Sequence, residues 1–271
     1  MSVLRVASVQ FPIVDNDFSG NMMRAEKMIK QVMQEKDVDL LLFPEVCIEG
    51  VNLPSFETLL TDEQLDEIDN FWRKMAKMSG LHILAGHIAC RDGTWFNLAS
   101  CYAPDGNVIA EYAKTHLFNA EREFFKPGDK SVIFKIRDFS IGIMICADLG
   151  FPEFSRTMAV QGVDVLAVPS CWAYPHDLLW TLCNQLRAGE NGCYLVSCNR
   201  LGQEINGRIA LGHSMAVSPR GEIIANLGLQ KEGYFVANLH KSEVELERGV
   251  VKWLEWLRPE LYDTRQISKV T

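Results

Sequence analysis

The chain has 271 residues, 48% of them hydrophobic, with a formal net charge of -8 and a mean hydropathy of -0.01. That is enough apolar material for a large buried core. The acidic balance, with no basic block or stripe, excludes a nucleic-acid footprint and a basic membrane-surface helix, and no run approaches the ~18 consecutive apolar residues of a membrane span.

The opening stretch, MSVLRVASVQF, has neither the charged-then-apolar order nor the small-residue cleavage site of a signal peptide. It reads as a first strand, Leu4–Phe11, and the expected location is the cytoplasm. Helical periodicity follows over Asn21–Glu35, with Met22, Ala25, Met28, Ile29, Val32 and Met33 on one face. Further strands are predicted at Val38–Phe43, His82–Ala89, Trp95–Ala103, Val108–Tyr112, Ser131–Ile136, Ile141–Ile145 and Val163–Val168. The last four are predicted at Tyr194–Ser197, Ser214–Ser218, Glu222–Ala225 and Gly233–Leu239. Helices are predicted at Asp62–Met78, Phe154–Gln161, Leu178–Glu190 and Ser242–Leu257. Asp92-Gly93, Asp105-Gly106 and Arg220-Gly221 mark turns between strands. Strands joined by turns stand beside strands that lead into helices, so the sheets are expected to be mixed, with helices over an outer face. No linker composition divides the chain, and one domain over residues 1–271 is expected.

Eight cysteines stand at 47, 90, 101, 146, 171, 183, 193 and 198. None forms a C-x-x-C pair and no Cys/His group has zinc spacing, so no metal site is expected. Most lie in apolar runs and read as reduced, buried thiols.

Three reactive side chains follow apolar strands closely: Glu45 after DLLLFP, Lys114 after NVIAEYA and Cys146 after IGIMI. Ligands gather at the carboxyl ends of strands in α/β folds, and these three would meet if their strands were neighbours in one sheet. The set makes chemical sense. A thiol is mostly un-ionised at neutral pH and needs a base to become a nucleophile. A carboxylate in reach can take its proton. A lysine ammonium can hold the oxyanion of a tetrahedral intermediate, with the N–H of Ala147 as a second donor. A helix over PEFSRTMAVQG would add its N-terminal dipole in favour of the thiolate. Each residue also has a structural reading, as a loop carboxylate, a solvated lysine and a small core thiol.

With the contexts LLFPE, YAKTHLF and IMICADLGFPE, the chain resembles the nitrilase superfamily of carbon–nitrogen hydrolases, whose hallmark is a Glu-Lys-Cys triad. EREFFKPGD resembles the segment carrying the family's second glutamate; counting back from Gly128 gives Glu121, with Glu123 as the near competitor. LRAGENGCYLVSCNRLG, GHSMAVSPRGEIIA and WLRPELY extend the resemblance over essentially the whole chain. It implies a single-domain α/β fold, the four-layer α-β-β-α sandwich, with subunits paired through helices into a homodimer or a larger homo-oligomer. It implies no metal and no organic cofactor.

Nitrilases of the family usually carry Cys-Trp-Glu at the nucleophile, and its amide and carbamoyl hydrolases Cys-Tyr-Asp. Cys146-Ala147-Asp148 keeps the aspartate of the second group and departs from it at Ala147. The expected activity is therefore hydrolysis of a small amide or N-carbamoyl compound through a Cys146 thioester. The alternatives are a nitrilase, a catalytically silent assembly subunit, or a redox sensor at Cys146. Substrate contacts are expected from Phe118, Trp172 and Tyr174. His116 is expected to orient the Lys114 loop, and Arg187 and Glu190 to form a structural or interface pair. Arg200 and Arg208 are open candidates for a substrate carboxylate. Trp253 and Trp256 are expected to pack either on a partner or on their own subunit.

Overall fold

The computed structural model describes residues 2–51 and 60–262. The chain runs β1 (Val3–Gln10), α1 (Phe18–Val32), β2 (Leu40–Leu42), α2 (Asp62–Ser79), β3 (His82–Arg91), β4 (Thr94–Tyr102), β5 (Val108–Ala113), α3 (Glu121–Phe124) and β6 (Ile133–Ile136). It continues β7 (Phe139–Ile143), α4 (Pro152–Val160), β8 (Val165–Ser170), α5 (Asp177–Gly189), β9 (Tyr194–Asn199), β10 (Met215–Val217), β11 (Ile223–Asn226), β12 (Gly233–His240) and α6 (Lys241–Val250). Every predicted strand is present within a few residues of its expected ends.

The strands form two six-stranded sheets, ordered β12-β1-β2-β3-β4-β5 and β11-β10-β9-β8-β7-β6. Both are mixed. β1, β2 and β3 run parallel, as do β7, β8 and β9, while hairpins and returning strands supply the antiparallel edges. Asp92 and Gly93 both take positive φ, 50° and 73°, as the two-residue turn joining β3 to β4 requires.

The period-2 alternation of the second sheet shows why it needs cover on both faces. Ile141, Ile143, Val165, Ala167, Tyr194, Val196 and Ala216 enter the core shared with the first sheet. Leu166, Val168, Leu195, Met215 and Val217 face the other way, onto Met158 of α4 and Trp180, Cys183 and Ala188 of α5. The first sheet is covered likewise by Ala25, Met28, Ile29 and Val32 of α1 and by Ile68, Trp72, Met75 and Ala76 of α2. The sheets touch directly, for example where Ser8 Oγ donates to Ser197 O at 2.9 Å. The result is the four-layer α-β-β-α sandwich.

Two helices differ from expectation. α6 stops at Val250 rather than reaching Leu257, because Gly249 and the β-branched pair Val250-Val251 are poor helix formers. α4 begins at Pro152, which is favoured in a first helical turn. A separate 3₁₀ turn, Cys146–Gly150, lies between Cys146 and that helix. The helix over PEFSRTMAV is thus present, with this turn between its N-terminus and the cysteine. α2 follows its sequence signals closely: Thr61 and Gln64 form a capping box, and Gly80 closes the helix in the left-handed conformation.

Glu49 is fully buried, accepts a 2.6 Å hydrogen bond from Ile88 N through Oε1, and among the described residues has no partner at Oε2. Burial pushes its carboxyl up to about 7, against ~4.3 in an unfolded chain. The folded state thus holds the proton more tightly. The stability this group contributes is complete below the unfolded value and is lost as pH rises through about 7. Glu49→Gln is expected to remove this dependence. Between pH 4.5 and pH 8 the stability difference between variant and wild type should move by about 3 kcal/mol in the variant's favour, read by urea unfolding at both ends.

Candidate active site

Glu45 lies three residues past β2, Lys114 directly follows β5, and Cys146 lies three residues past β7. The one-sheet expectation fails here. β2 and β5 share a sheet with β3 and β4 between them, and β7 belongs to the other sheet. The stacking of the two sheets brings the three strand ends together, and all three residues line one cavity of about 410 Å³.

The backbone at this end is tightly shaped. Cys146 has φ 45°, and the β-branched Val46 beside Glu45 has φ 41°. Such left-handed conformations cost on the order of 1–3 kcal/mol each and must be enforced by their surroundings. Gly86 of β3 permits the Glu45 turn, since a Cβ there would lie 2.5 Å from Glu45 Cα. Gly128 does the same beside Lys114: a Cβ would lie 2.2 Å from Ala113 O, and Gly128 N donates to Lys114 O at 2.9 Å.

Lys114 is buried, with Nζ 2.7 Å from Glu45 Oε1 and 2.8 Å from Glu121 Oε2. Burial alone would lower its pKa, but the charges of Glu45 and Glu121 outweigh that and hold it well above the usual lysine range. Glu121 is pushed up by burial, with Lys114 opposing. Asn97 Nδ2 donates to Glu45 Oε1 at 2.8 Å and to Glu121 Oε1 at 3.3 Å. Both protein donors to Glu45 thus use Oε1, and among the described residues no hydrogen bond reaches Oε2. Glu121 Oε2 also accepts from Phe118 N at 2.7 Å. Glu123, the competing glutamate, is exposed on α3.

Cys146 is half-buried at the cavity wall. Burial pushes its thiol well above the usual range and the Glu45 charge adds to this; Lys114 and the backbone N–H of Cys171 oppose it. The resting group is therefore a thiol, and it would need a base in reach to become a nucleophile.

Asp148 ties the lysine arm to the cysteine turn. Fully buried, it accepts from Tyr112 Oη (2.7 Å) and Ile145 N (2.8 Å) through Oδ2, and from His116 N (3.0 Å) through Oδ1. His116 Nδ1 lies 2.7 Å from Oδ1, and its ring stacks on Phe151 at 3.7 Å between centroids. His116 thus orients the loop, as expected. Asp148→Asn removes acceptor capacity from a buried hub. We expect kcat to fall about 10-fold or more with KM nearly unchanged, and stability to drop by about 1–3 kcal/mol, read by steady-state kinetics and urea unfolding.

Ala147, Phe118 and Trp172 line the cavity with Glu45, Lys114 and Cys146. Trp172 also packs on Trp180 (5.4 Å between centroids), and its Nε1 donates to His176 O at 3.2 Å, so it is both wall and core. Tyr174 is a correction: it does not line the cavity. Its N–H is bound to Ile209 O, beside the Ala173–Ala210 bridge. Arg200 is also excluded from substrate contact, being fully buried against Asp15 and Ile13 O. Arg187 pairs with Glu190 at 2.7 Å and donates to Leu149 O, a structural role. Arg208 does reach the cavity. Sequence reasoning passed over Asn97, although a lone amide inside the apolar run WFNLAS was a signal for it. It read Asp148 only as a subgroup marker.

Comparisons with known proteins bear on the family and the fold. The carbon–nitrogen hydrolase family model matches residues 5–248. The 2-oxoglutaramate amidase of Bacillus subtilis is 30% identical over 260 residues, covering 95% of this chain and 98% of that protein. The nitrilase of Pyrococcus abyssi is 33% identical, covering 88% and 90%. Among solved structures, an amidase from Nesterenkonia sp. AN1 superposes with a TM-score of 0.86 at 24% identity, covering 95% of each chain. Saccharomyces cerevisiae Nit3, a member of branch 10 of the nitrilase superfamily, superposes with a TM-score of 0.84 at 26% identity, covering 97% of each. With its fold, its Glu-Lys-Cys cavity and a family match over most of its length, the chain belongs to the carbon–nitrogen hydrolase family.

Proposed function

We propose that the chain, acting as one catalytic domain over residues 1–271, hydrolyses the C–N bond of a small amide through a thioester on Cys146. The observation that carries this reading is the cavity itself. It joins a half-buried thiol, a buried carboxylate whose Oε2 accepts no hydrogen bond from the described residues, and a buried ammonium.

Glu45 Oε2 takes the thiol proton as sulfur bonds to the carbonyl carbon, and the C=O π pair moves onto oxygen. Lys114 Nζ and the Ala147 N–H hold that oxyanion. The oxyanion collapses, the C–N bond breaks, and Glu45 returns the proton to the departing nitrogen. Water then loses a proton to Glu45 as it attacks the thioester, with Glu121 holding Lys114 and the Phe118 loop in place. Sulfur leaves and regains the proton, and the carboxylic acid departs. No step calls on a metal or an organic cofactor.

The test is ammonia release from a panel of small amides, N-carbamoyl compounds and nitriles, run beside Cys146→Ala. Turnover of amides that is lost in the variant supports the reading. A nitrilase is the second reading, favoured by the 33% identity to a relative of that name and opposed by Cys146-Ala147-Asp148. Nitrile turnover exceeding amide turnover would select it.

The same proposal includes a homodimer. Leu178, Leu182 and Leu186 form an exposed stripe at i, i+4, i+8 on α5, and Trp253 and Trp256 are also exposed. Leu182→Glu with Leu186→Glu is expected to convert a dimer to monomer in sedimentation velocity. A cytoplasmic location also belongs here, supported by eight free thiols, six of them buried.

A further inference from the structure

We infer that the acyl part of the substrate is uncharged and apolar, of the size of a phenylalkyl or branched alkyl group; this rests on the amidase reading above. Beyond the reacting groups, the cavity is walled by Val46, Val51, Phe118, Phe151, Trp172 and Leu179. A two- or three-carbon amide leaves most of its 410 Å³ unfilled. Apolar atoms placed there leave water for a matching surface.

The charges argue the same way. Two cations line the cavity among the described residues, and both already have anionic partners. Lys114 sits between Glu45 and Glu121. Arg208 lies 3.4 Å from Glu204 Oε2, with its guanidinium 5.6 Å over the Phe118 ring. Glu204 is fully buried and is fixed further by Asn206 Nδ2 at 3.1 Å and by Cys171 Sγ at 3.3 Å. His176 is the remaining basic side chain on the wall. A carboxylate on the acyl chain would lose its hydration in a space lined by two protein carboxylates, Glu45 and Glu121, and, among the described residues, by no unpaired lysine or arginine, which is costly.

The test compares kcat/KM for propanamide, 3-phenylpropanamide, 5-methylhexanamide and glutaramate. The last two are near-isosteres that differ in an isopropyl against a carboxylate terminus. The expected result is that 5-methylhexanamide exceeds glutaramate by about tenfold or more, and that both apolar amides exceed propanamide. A smaller ratio, or propanamide as the best substrate, overturns the inference and leaves the amidase reading standing. Release of ammonia from none of the four removes the amidase reading itself, and this inference with it.

Discussion

Cys146→Ala is expected to lower kcat by on the order of 10⁴-fold or more while leaving the protein folded. The loss is large because no other group on the cavity wall can form the covalent bond from the same position. The fold survives for an electrostatic reason. Burial keeps the Cys146 thiol protonated at rest, so removing it changes no charge. The Lys114 contacts to Glu45 and Glu121 do not pass through sulfur and stay in place. Alanine meets the same backbone strain at φ 45° that cysteine meets, so the midpoint of urea unfolding should barely move. Ammonia release and the unfolding curve check both halves. Activity within tenfold of wild type would move the nucleophile elsewhere, with Cys171, on the same wall, as the first alternative.

Lys114→Met is expected to damage both function and stability. Removing one oxyanion donor costs about 10²–10³-fold in kcat, and the loss of charge leaves Glu45 and Glu121 buried without their cation. Breaking a buried pair in this way costs about 3–5 kcal/mol at pH 8. The direction with pH follows from the carboxylates. Glu121 is already raised by burial, with Lys114 opposing the rise, so deleting the lysine raises it further. A carboxyl whose folded pKa is raised stabilises the fold at low pH and loses that contribution as pH climbs. The variant should therefore recover stability toward pH 5.5 in urea unfolding. Adding Glu121→Gln should restore much of the stability at pH 8 without restoring turnover. Full stability of the single variant at pH 8 would show that the triad's ion pairs are not what holds this end of the sheets.

The sequence-level reading succeeded where the information was local. Strand-like apolar runs located the twelve strands of the described residues, and Asp92-Gly93, Asp105-Gly106 and Arg220-Gly221 marked the β3–β4, β4–β5 and β10–β11 turns. LLFPE, YAKTHLF and IMICADLG put Glu45, Lys114 and Cys146 at strand ends. What stayed hidden was non-local. That Cys146 faces Glu45 across two stacked sheets depends on core packing between β1 and β9 and between β3 and β8, which no short window encodes. Asp148 and Asn97 look ordinary until their partners, 36 and 52 residues away, are placed around them. Arg200 looked available for a ligand because its partner Asp15 lies 185 residues earlier in the chain. The 3₁₀ turn between β7 and the helix over PEFSRTMAV was also hidden, because it depends on Asp148 Oδ2 taking the Ile145 N–H.

A thioester is expected to form on Cys146 before water arrives, and hydroxylamine partitioning separates this route from direct attack by water. Propanamide and methyl propanoate, each hydrolysed by the wild-type protein at one hydroxylamine concentration, would pass through the same propanoyl-enzyme. A shared thioester gives the same ratio of hydroxamate to propanoate from both, whatever the leaving group. Ratios that differ between the two would mean that water or hydroxylamine attacks each substrate directly, with Cys146 a bystander.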